Sequence, residues 1–283
     1  MWLNFKIKLN NFLLFNSSLF LATRNFIFSF FFVKPPVIEN IPIIINNRNR
    51  LTYMIKLINR LKEMNYNNII ILDNASTYPP LLEFYKKTDC EVIFLGENLG
   101  YNSLEKIPLY LKLRKNYFVY TDPDVIPIEN CPKDFMKLFY QKLKKYPLLQ
   151  KVGFSLKIDD LPGHYGQKDD VLKWEGQFYN SKIDDVLFNA RIDTTFALHR
   201  PYARISTKGR YKMARTAYPY QARHLPWYID TTNISEEEKY YIDHVEIGTH
   251  WSKGLSFKKG KILRRLLQFI LPYSLKIKWK FIN

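Results

Sequence analysis

The sequence predicts an α/β fold with a mostly parallel sheet flanked by helices. Between residues 41 and 121, short apolar segments of strand composition alternate with helical segments, and polar residues follow each strand. Such alternation is typical of parallel strands joined by right-handed crossovers. After residue 130 the alternation loosens, which indicates a second and less regular half.

The first strand and helix are predicted from residues 41 to 64. "IPIII" (41–45) has the composition of a short buried strand, and the helix that follows places its apolar residues on one face. These apolar residues are Leu51, Met54, Ile55, Ile58 and Leu61. Asn49 stands where an N-cap is expected.

Three further strands follow at regular spacing, "NIIIL" (68–72), "EVIFL" (91–95) and "YFVYT" (117–121). The first intervening helix begins at Pro79 and Pro80, which a first helical turn tolerates. The second covers residues 103–115, where Pro108 kinks or restarts it.

The second half is predicted from weaker patterns. We expect helices at 132–146, 171–179 and 235–247, strands at 151–158 and 193–200, and a long basic and aromatic loop at 201–229. The chain then divides into an apolar leader (1–40), a first half (41–130), a second half (131–256) and a basic tail (257–283).

Composition favours anionic partners, because the formal charge of the 283 residues is +17. The two cysteines, Cys90 and Cys131, have no metal-ligand spacing. In the leader, residues 12–33 are long enough to cross a bilayer, but polar residues interrupt them. A membrane-surface segment or a packed leader is therefore favoured over a span.

Polar clusters at the carboxyl ends of the four strands predict a ligand site. "NNRNR", "DNAS", "GENLGYN" and "TDPD" follow the strands in order, and ligands of open parallel sheets bind at that edge. In the last cluster, a turn through Pro123 brings Asp122 and Asp124 to one cation, and Mg²⁺ or Mn²⁺ suits such oxygen ligands. The alternative is a polar turn in which one aspartate caps a helix.

Other residues of these loops are candidates for nucleotide binding. Asp73 could accept a hydrogen bond from the imide of a uracil ring, with Asn74 beside it, or the two could form an Asx-turn. Asn98 and Gly100 could bring backbone close to a nucleotide, or form a simple turn. Near the C-terminus, His250 is a candidate metal ligand and Lys253 a candidate diphosphate contact, although a lone His is more often packed.

Taken in order, "IPIIINNRNR", "IIILDNAS", "ENLGYN" and "TDPD" resemble the nucleotide-binding half of a GT-A glycosyltransferase of family 2. "IDDLP", "WEGQF", "IDTTFALHR" and "RHLPWYID" resemble a bacterial subgroup of that family with an RHLPWY motif. The resemblance implies a UDP-sugar donor, a Mn²⁺ or Mg²⁺ ion held by Asp122 and Asp124, and a glycan or lipid-linked acceptor. It also implies inversion at the anomeric carbon.

The catalytic base stays open, because the Glu-Asp pair frequent in family 2 is absent from its expected place. Asp193, Glu175 and His224 are the candidates, and Asp193 is preferred because it begins a predicted strand in the acceptor half. Arg223 is a candidate diphosphate contact. A GT-A protein without catalysis and a basic nucleic-acid-binding protein are the alternatives, and no nucleic-acid motif supports the second.

The tail predicts contact with an anionic membrane. Residues 257–283 contain eight Lys or Arg and no acidic residue, and Ile262, Leu263, Leu266 and Ile270 follow helical spacing. A basic amphipathic helix of this kind lies flat on anionic lipid, or packs its apolar face on the protein. The first reading implies a cytoplasmic protein held at the inner face of the membrane.

Overall fold

The computed structural model describes residues 18–205, 212–230 and 233–244. It has the predicted α/β architecture, with a nine-stranded sheet, a three-stranded sheet and flanking helices. Residues Met1–Glu237 form one compact unit and Glu238–Asn283 a second. In the second unit only residues 238–244 are described, and they are helical. The predicted tail helix, His250 and Lys253 lie outside the described residues.

The predicted parallel strands form one half of the large sheet. They are β1 (Ile43–Asn47), β2 (Ile69–Asp73), β3 (Glu91–Phe94) and β4 (Phe118–Thr121). Their order is β3-β2-β1-β4, and every neighbouring pair is parallel. This half therefore confirms the strands expected from the apolar segments, with β1 starting two residues later than predicted.

Shorter strands make up the rest of both sheets. They are β5 (Val125–Pro127), β6 (Leu149–Gly153), β7 (Ser155–Leu156), β8 (Lys182–Asp184), β9 (Leu187–Asn189), β10 (Ala197–His199), β11 (Lys212–Thr216) and β12 (Gln221–His224). The large sheet continues from β4 as β10-β6-β11-β9-β8, and the small sheet has the order β5-β12-β7. In this mixed half the strand pairs are antiparallel, except for β6 with β11 and β7 with β12, which are parallel.

The described residues also form seven α-helices. Residues 18–31 form α1, and the others are α2 (Thr52–Glu63), α3 (Pro79–Tyr85), α4 (Leu109–Leu113), α5 (Phe135–Lys145), α6 (Lys168–Gly176) and α7 (Glu236–His244). As predicted, Pro79 and Pro80 begin α3, and Pro108 stands between a 3-10 turn (Ser103–Lys106) and α4. None of the described helices is long and apolar enough to cross a membrane.

Each face of the sheet has its own apolar core. On one face Phe118 and Tyr120 pack with residues of β1, β2 and the α4 region. On the opposite face Phe135 and Phe139 of α5 contact Phe154, and Phe135 also contacts Phe196, with ring centroids 4.9 to 5.6 Å apart. These clusters hold the carboxyl end of β4 between two packed layers.

Two predictions about the second half are wrong. The expected strand at 151–158 is divided at Phe154, so that β6 joins the large sheet and β7 the small one. The expected loop at 201–229 contains β11 and β12. Both strands are short and pair with segments distant in sequence, which local periodicity does not reveal.

The predicted N-cap of α2 is also wrong. The helix begins at Thr52, and its first N–H groups are capped by the carboxylate of Glu237, which accepts from Leu51 N at 2.9 Å. Asn49 has a positive φ of 53°, and its side-chain oxygen accepts from Thr77 N at 2.7 Å and Tyr78 N at 3.0 Å. Asn49 therefore ties the loop after β1 to the start of α3.

Candidate functional site

The carboxyl ends of β1, β2 and β4 meet at one edge of the sheet. Asn47 at the end of β1 is the register partner of Asp73 at the end of β2. Thr121, the last residue of β4, pairs with Ile45 of β1. Asp73 and the Asp122 that follows Thr121 are therefore presented at the same edge by parallel strands.

Asp73 is fixed in a buried network behind this edge. One carboxylate oxygen accepts from Ser76 N at 3.0 Å, which is the turn expected of an aspartate here. The other accepts from the Tyr85 hydroxyl at 3.0 Å, and that hydroxyl accepts from Asn47 Nδ2 at 2.9 Å. Burial, and then the charge of Asp73, raise the pKa of Tyr85, so the phenol stays a donor.

The loop after β3 is tied to the same edge by side-chain amides. Asn74 accepts from Leu99 N at 2.7 Å and donates to Gly100 O at 3.0 Å. Asn98 accepts from Gly100 N at 3.0 Å, and Gly100 has a φ of +80°, which favours glycine. The three candidates Asn74, Asn98 and Gly100 thus lie together and shape one loop.

Asp122 and Asp124 occupy the end of β4 as predicted from the sequence. Asp122 N donates to Thr194 O at 3.1 Å, and the Thr194 hydroxyl donates to Asp122 Oδ2. Thr194 therefore attaches the segment before β10 to this corner. Asp124 is mostly buried, with its side chain 15 % exposed.

The electrostatics of this corner favour a cation. Burial raises the pKa of Asp122 well above its ordinary value, and the carboxylates of Asp124 and then Asp193 raise it further. Asp124 Oδ1 is buried and accepts no hydrogen bond from the described residues. A buried carboxylate oxygen without a donor is costly, and a divalent cation would compensate it.

The donor set fits a hard divalent cation that keeps water and substrate oxygens in its shell. Among the described residues, no three His, Cys, Asp or Glu side chains are grouped as a complete metal site. Asp122 and Asp124 would thus supply part of the coordination. Such incomplete protein coordination is usual where Mg²⁺ binds substrate phosphates.

His224 reaches this corner through the small sheet. β12 pairs antiparallel with β5, and His224 is the register partner of Val125. Its Nε2 lies 3.7 Å from Asp124 Oδ2, and its ring packs edge-on against Trp227 at 4.7 Å. The pairing of β5 with β12, which the sequence did not predict, therefore brings "RHLPWY" beside "TDPD".

Asp193 lies at the same corner as Asp122. Its side chain is exposed, and its neighbour Thr194 holds Asp122. The backbone oxygen of Asp193 accepts from the Nζ of buried Lys151 at 3.1 Å, and Lys151 also donates to Ile205 O at 3.3 Å. Asp193 is thus a carboxylate open to solvent on an anchored segment.

Glu175, the second candidate base, is placed differently. It is buried in α6 and forms an ion pair of 2.5 Å with Arg215, which is buried as well. Arg215 also donates to Arg191 O at 2.7 Å and stacks on Phe178. Burial raises the pKa of Glu175, against the opposing effect of Arg215. Glu175 is therefore enclosed by an ion pair and is not open to solvent.

Arg223, the candidate diphosphate contact, is engaged by two carboxylates. It forms ion pairs of 2.5 Å with Glu129 and 2.7 Å with Asp160, and Asp160 also accepts from the Tyr228 hydroxyl at 2.5 Å. Against the lowering effect of partial burial, the charge-assisted hydrogen bonds that Arg223 donates to Glu129 and Asp160 raise its pKa. In this arrangement Arg223 holds the small sheet together.

Sequence reasoning missed the residues that assemble the corner. Thr194 and Lys151 orient the segment before β10, and neither was singled out from the sequence, although Thr194 lies within "IDTTFALHR". Their roles depend on β10 lying between β4 and β6, which joins residues far apart in sequence. In this segment only Asp193 was a sequence-based candidate, because it begins a predicted strand.

Comparison with known proteins finds no matching family model and no matching curated protein. Several solved structures match in part, and two of them are described here. One is glucosyl-3-phosphoglycerate synthase from Mycobacterium tuberculosis in complex with phosphoglyceric acid, with 12 % identity over 57 % of this chain and 57 % of that one, and a TM-score of 0.33. The other is described as a mycobacterial protein, with 13 % identity over 65 % of this chain and 70 % of that one, and a TM-score of 0.33. Membership of family 2 stays a prediction.

Proposed function

We propose that the chain is a metal-dependent glycosyltransferase that transfers a sugar from a UDP-sugar to a hydroxyl of a glycan or lipid-linked acceptor, with inversion. The observation that carries the proposal is the pair Asp122 and Asp124 at the carboxyl end of β4. One oxygen of Asp124 is buried and accepts no hydrogen bond from the described residues, and burial and then the charge of Asp124 raise the pKa of Asp122. A cation bridging a diphosphate suits this position in a parallel sheet.

The parallel half is the proposed donor side. Asp73 and the loop that holds Asn74, Asn98 and Gly100 follow neighbouring strands at the same edge as Asp122. Loops fixed by side-chain amides offer backbone groups at constant positions, which suits the base and ribose of a nucleotide. The fixed carboxylate of Asp73 is the group proposed to recognise a uracil ring.

Asp122 and Asp124 are the residues that would hold Mn²⁺ or Mg²⁺, with His224 beside them. When bound, the ion neutralises charge that develops on the leaving diphosphate. Thr194 supports Asp122 through its hydroxyl, so it is a positioning residue for the same corner. His250 and Lys253 remain sequence-based candidates for this region.

Asp193 is the proposed base. Inverting transfer requires a group that accepts the proton of the acceptor hydroxyl while its oxygen bonds to the anomeric carbon and UDP leaves. Asp193 is exposed and lies close enough to Asp122 to raise its pKa. Glu175 is buried against Arg215, and His224 lies against Asp124, so both have partners that compete with this role.

The test is UDP release from a set of UDP-sugars, measured with Mn²⁺, with Mg²⁺ and with a chelator. We expect metal-dependent release by the wild-type chain, lowered roughly 10²–10³-fold in Asp122→Asn and in Asp124→Asn, the size of loss seen when a charge-stabilising group is removed. Asp89→Asn, an exposed aspartate after α3, is the matched control and should keep wild-type release.

Two results would reject the proposal. The first is UDP release that does not depend on metal and is unchanged in Asp124→Asn. The second is UDP-sugar binding without any release in the presence of candidate acceptors, which would favour a sugar-binding protein without catalysis. Binding of single-stranded RNA that survives near-physiological salt would favour the nucleic-acid alternative.

A further inference from the structure

Helix α1 buries small and polar side chains and exposes large apolar ones, which is the opposite of an ordinary surface helix. The residues that it buries are all small or polar and recur at helical spacing, Ser18, Ala22, Asn25 and Ser29. An ordinary surface helix buries its apolar stripe instead. In α1 most of the large apolar residues are exposed, and only Leu21 and Phe26 are half-buried, so the exposed ones need an explanation.

Specific hydrogen bonds hold the polar stripe against the sheet. Asn25 Nδ2 donates to Gln150 Oε1 at 2.8 Å, and both residues are buried. Arg200, which is 1 % exposed, donates to Ser29 Oγ at 3.0 Å and to the carbonyl oxygens of Leu143 and Tyr146 at the end of α5. Because these buried bonds would be lost on rotation, they fix which side of α1 faces outward.

The outward side of α1 and the residue after it expose a set of large apolar side chains, here called the aromatic face. Its members are Leu19, Phe20, Ile27, Phe28, Phe30, Phe31 and Phe32. The last three phenylalanines are 62 to 75 % exposed. A surface of this kind marks a site of association, since soluble proteins rarely expose clustered aromatic residues.

Basic residues lie close to the aromatic face. The chain has no acidic residue before Glu39, whereas Arg24 and Lys34 lie within or beside α1. Phe28 packs edge-on against Tyr202 at 5.8 Å, and the guanidinium of Arg114 stacks on the Tyr202 ring. The partner of this surface therefore combines apolar groups with negative charge.

We propose that the aromatic face docks into the headgroup and acyl boundary of an anionic lipid bilayer. Phenylalanines with a basic rim match the two components of that boundary, the acyl chains and the anionic headgroups. The described part of α1, residues 18–31, is roughly 20 Å long, shorter than the hydrocarbon core. Because its polar stripe is bonded to the sheet, α1 lies along the protein and meets the bilayer from its side.

The surface contains none of the residues assigned to the candidate site, so vesicle binding can be tested whether or not the chain transfers sugar.

The test distinguishes a bilayer from two other partners of the aromatic face, a second copy of the chain and the residues before 18. A second copy predicts a dimer that depends on the phenylalanines. If residues 1–17 cover the aromatic face, the protein should be a monomer that does not bind vesicles.

The experiment is flotation of the full chain with vesicles of phosphatidylcholine alone or with phosphatidylglycerol, together with light scattering of the free protein. We expect the wild-type chain to float with the phosphatidylglycerol vesicles. Phe30→Ser combined with Phe31→Ser should lower the partition coefficient about tenfold or more, because two exposed rings no longer enter the bilayer. Phe94→Ser, which removes a ring 61 % exposed on β3, is the matched control and should bind like wild type.

A further variant separates α1 from the basic tail. Arg264→Gln with Arg265→Gln should weaken vesicle binding at low salt only, whereas the loss in Phe30→Ser with Phe31→Ser should persist at about 1 M salt, where charges are screened beyond about 3 Å. Since both phenylalanines are exposed, the variant should unfold at the wild-type temperature.

Three results would overturn the proposal: equal partition of the phenylalanine variant and wild type, a wild-type monomer that floats with neither vesicle, or a wild-type dimer that becomes monomeric in the variant while vesicle binding is absent.

Discussion

The parallel half (β1 to β4) and the mixed half (β5 to β12) of the protein place their polar residues by different means. In the parallel half, Asp73, Asn74 and Asp122 follow directly on strands and lie at one edge because parallel strands end together. In the mixed half, Glu175 is buried against Arg215, whereas Asp193 stays exposed next to Asp122. Position along the sequence is therefore a good guide to which polar residues meet at the sheet edge in the first half only.

The difference follows from the spacing of the contacts. Strand pairs in the parallel half join consecutive or nearly consecutive strands, while β10 lies between β4 and β6, and β12 between β5 and β7. In the mixed half, partners distant in sequence decide whether a carboxylate is open to substrate or enclosed in the core. Two acidic residues that look alike in sequence, Asp193 and Glu175, thus receive opposite surroundings.

The largest expected effect concerns Asp193. If the exposed carboxylate is the base, Asp193→Asn should lower transfer to an acceptor by roughly 10²–10⁴-fold and leave UDP binding unchanged, since it removes proton transfer and not donor contacts. Single-turnover transfer and UDP titration by calorimetry measure the two quantities.

Asp185→Asn, at another exposed aspartate of the mixed half, is the control and should transfer normally. If His224→Asn shows the strong loss of transfer and Asp193→Asn does not, His224 is the base. Exposure of Asp193 would then not indicate a catalytic role.

Glu175→Gln should act on stability. Removing one charge of a buried ion pair leaves Arg215 uncompensated, so we expect the free energy of unfolding to fall by about 3–5 kcal/mol. Urea denaturation measures it, with Glu63→Gln, which removes an exposed partner of Arg60, as a control expected to change it by less than about 1 kcal/mol. A stable Glu175→Gln protein with abolished transfer would mean that this carboxylate is catalytic after all.

The smallest effect sharpens the description of the anchored segment before β10. Burial lowers the pKa of Lys151 to about 7, against the raising effect of Asp193. Between about pH 7 and 10.5 the unfolded chain therefore binds the proton that folded Lys151 has lost, so stability should rise with pH by up to about 1.4 kcal/mol per unit.

Lys151→Met should remove that contribution, so the stability of the variant should rise less steeply than that of wild type as the pH is raised from about 7 to 9.5 in urea titrations. Lys144→Met, at an exposed position of α5, is the control and should follow the wild-type slope. Parallel stability curves for wild type and Lys151→Met would show that Lys151 keeps its proton in the folded protein. The cost of burying its charge would then be compensated by neighbouring groups.

Much of the fold was predictable where patterns are local. The strands of the parallel half and the helices α2, α3 and α5 were predicted because apolar periodicity and prolines report on neighbouring residues. Asn49 was misassigned because the group that caps α2, Glu237, comes from far along the chain. β11 and β12 were missed because each is short and stabilised by distant partners.

By itself the sequence determined that carboxylates follow the fourth parallel strand, since strand composition and the Asp122-Pro123-Asp124 run are both local features. The tertiary structure alone decided what surrounds them. It brought Thr194 onto Asp122 and His224 beside Asp124, and it turned the apolar side of α1 outward by burying Asn25 and Ser29. These outcomes depend on hydrogen bonds between segments that are distant in sequence, and such bonds leave no period or spacing for a sequence pattern to reveal.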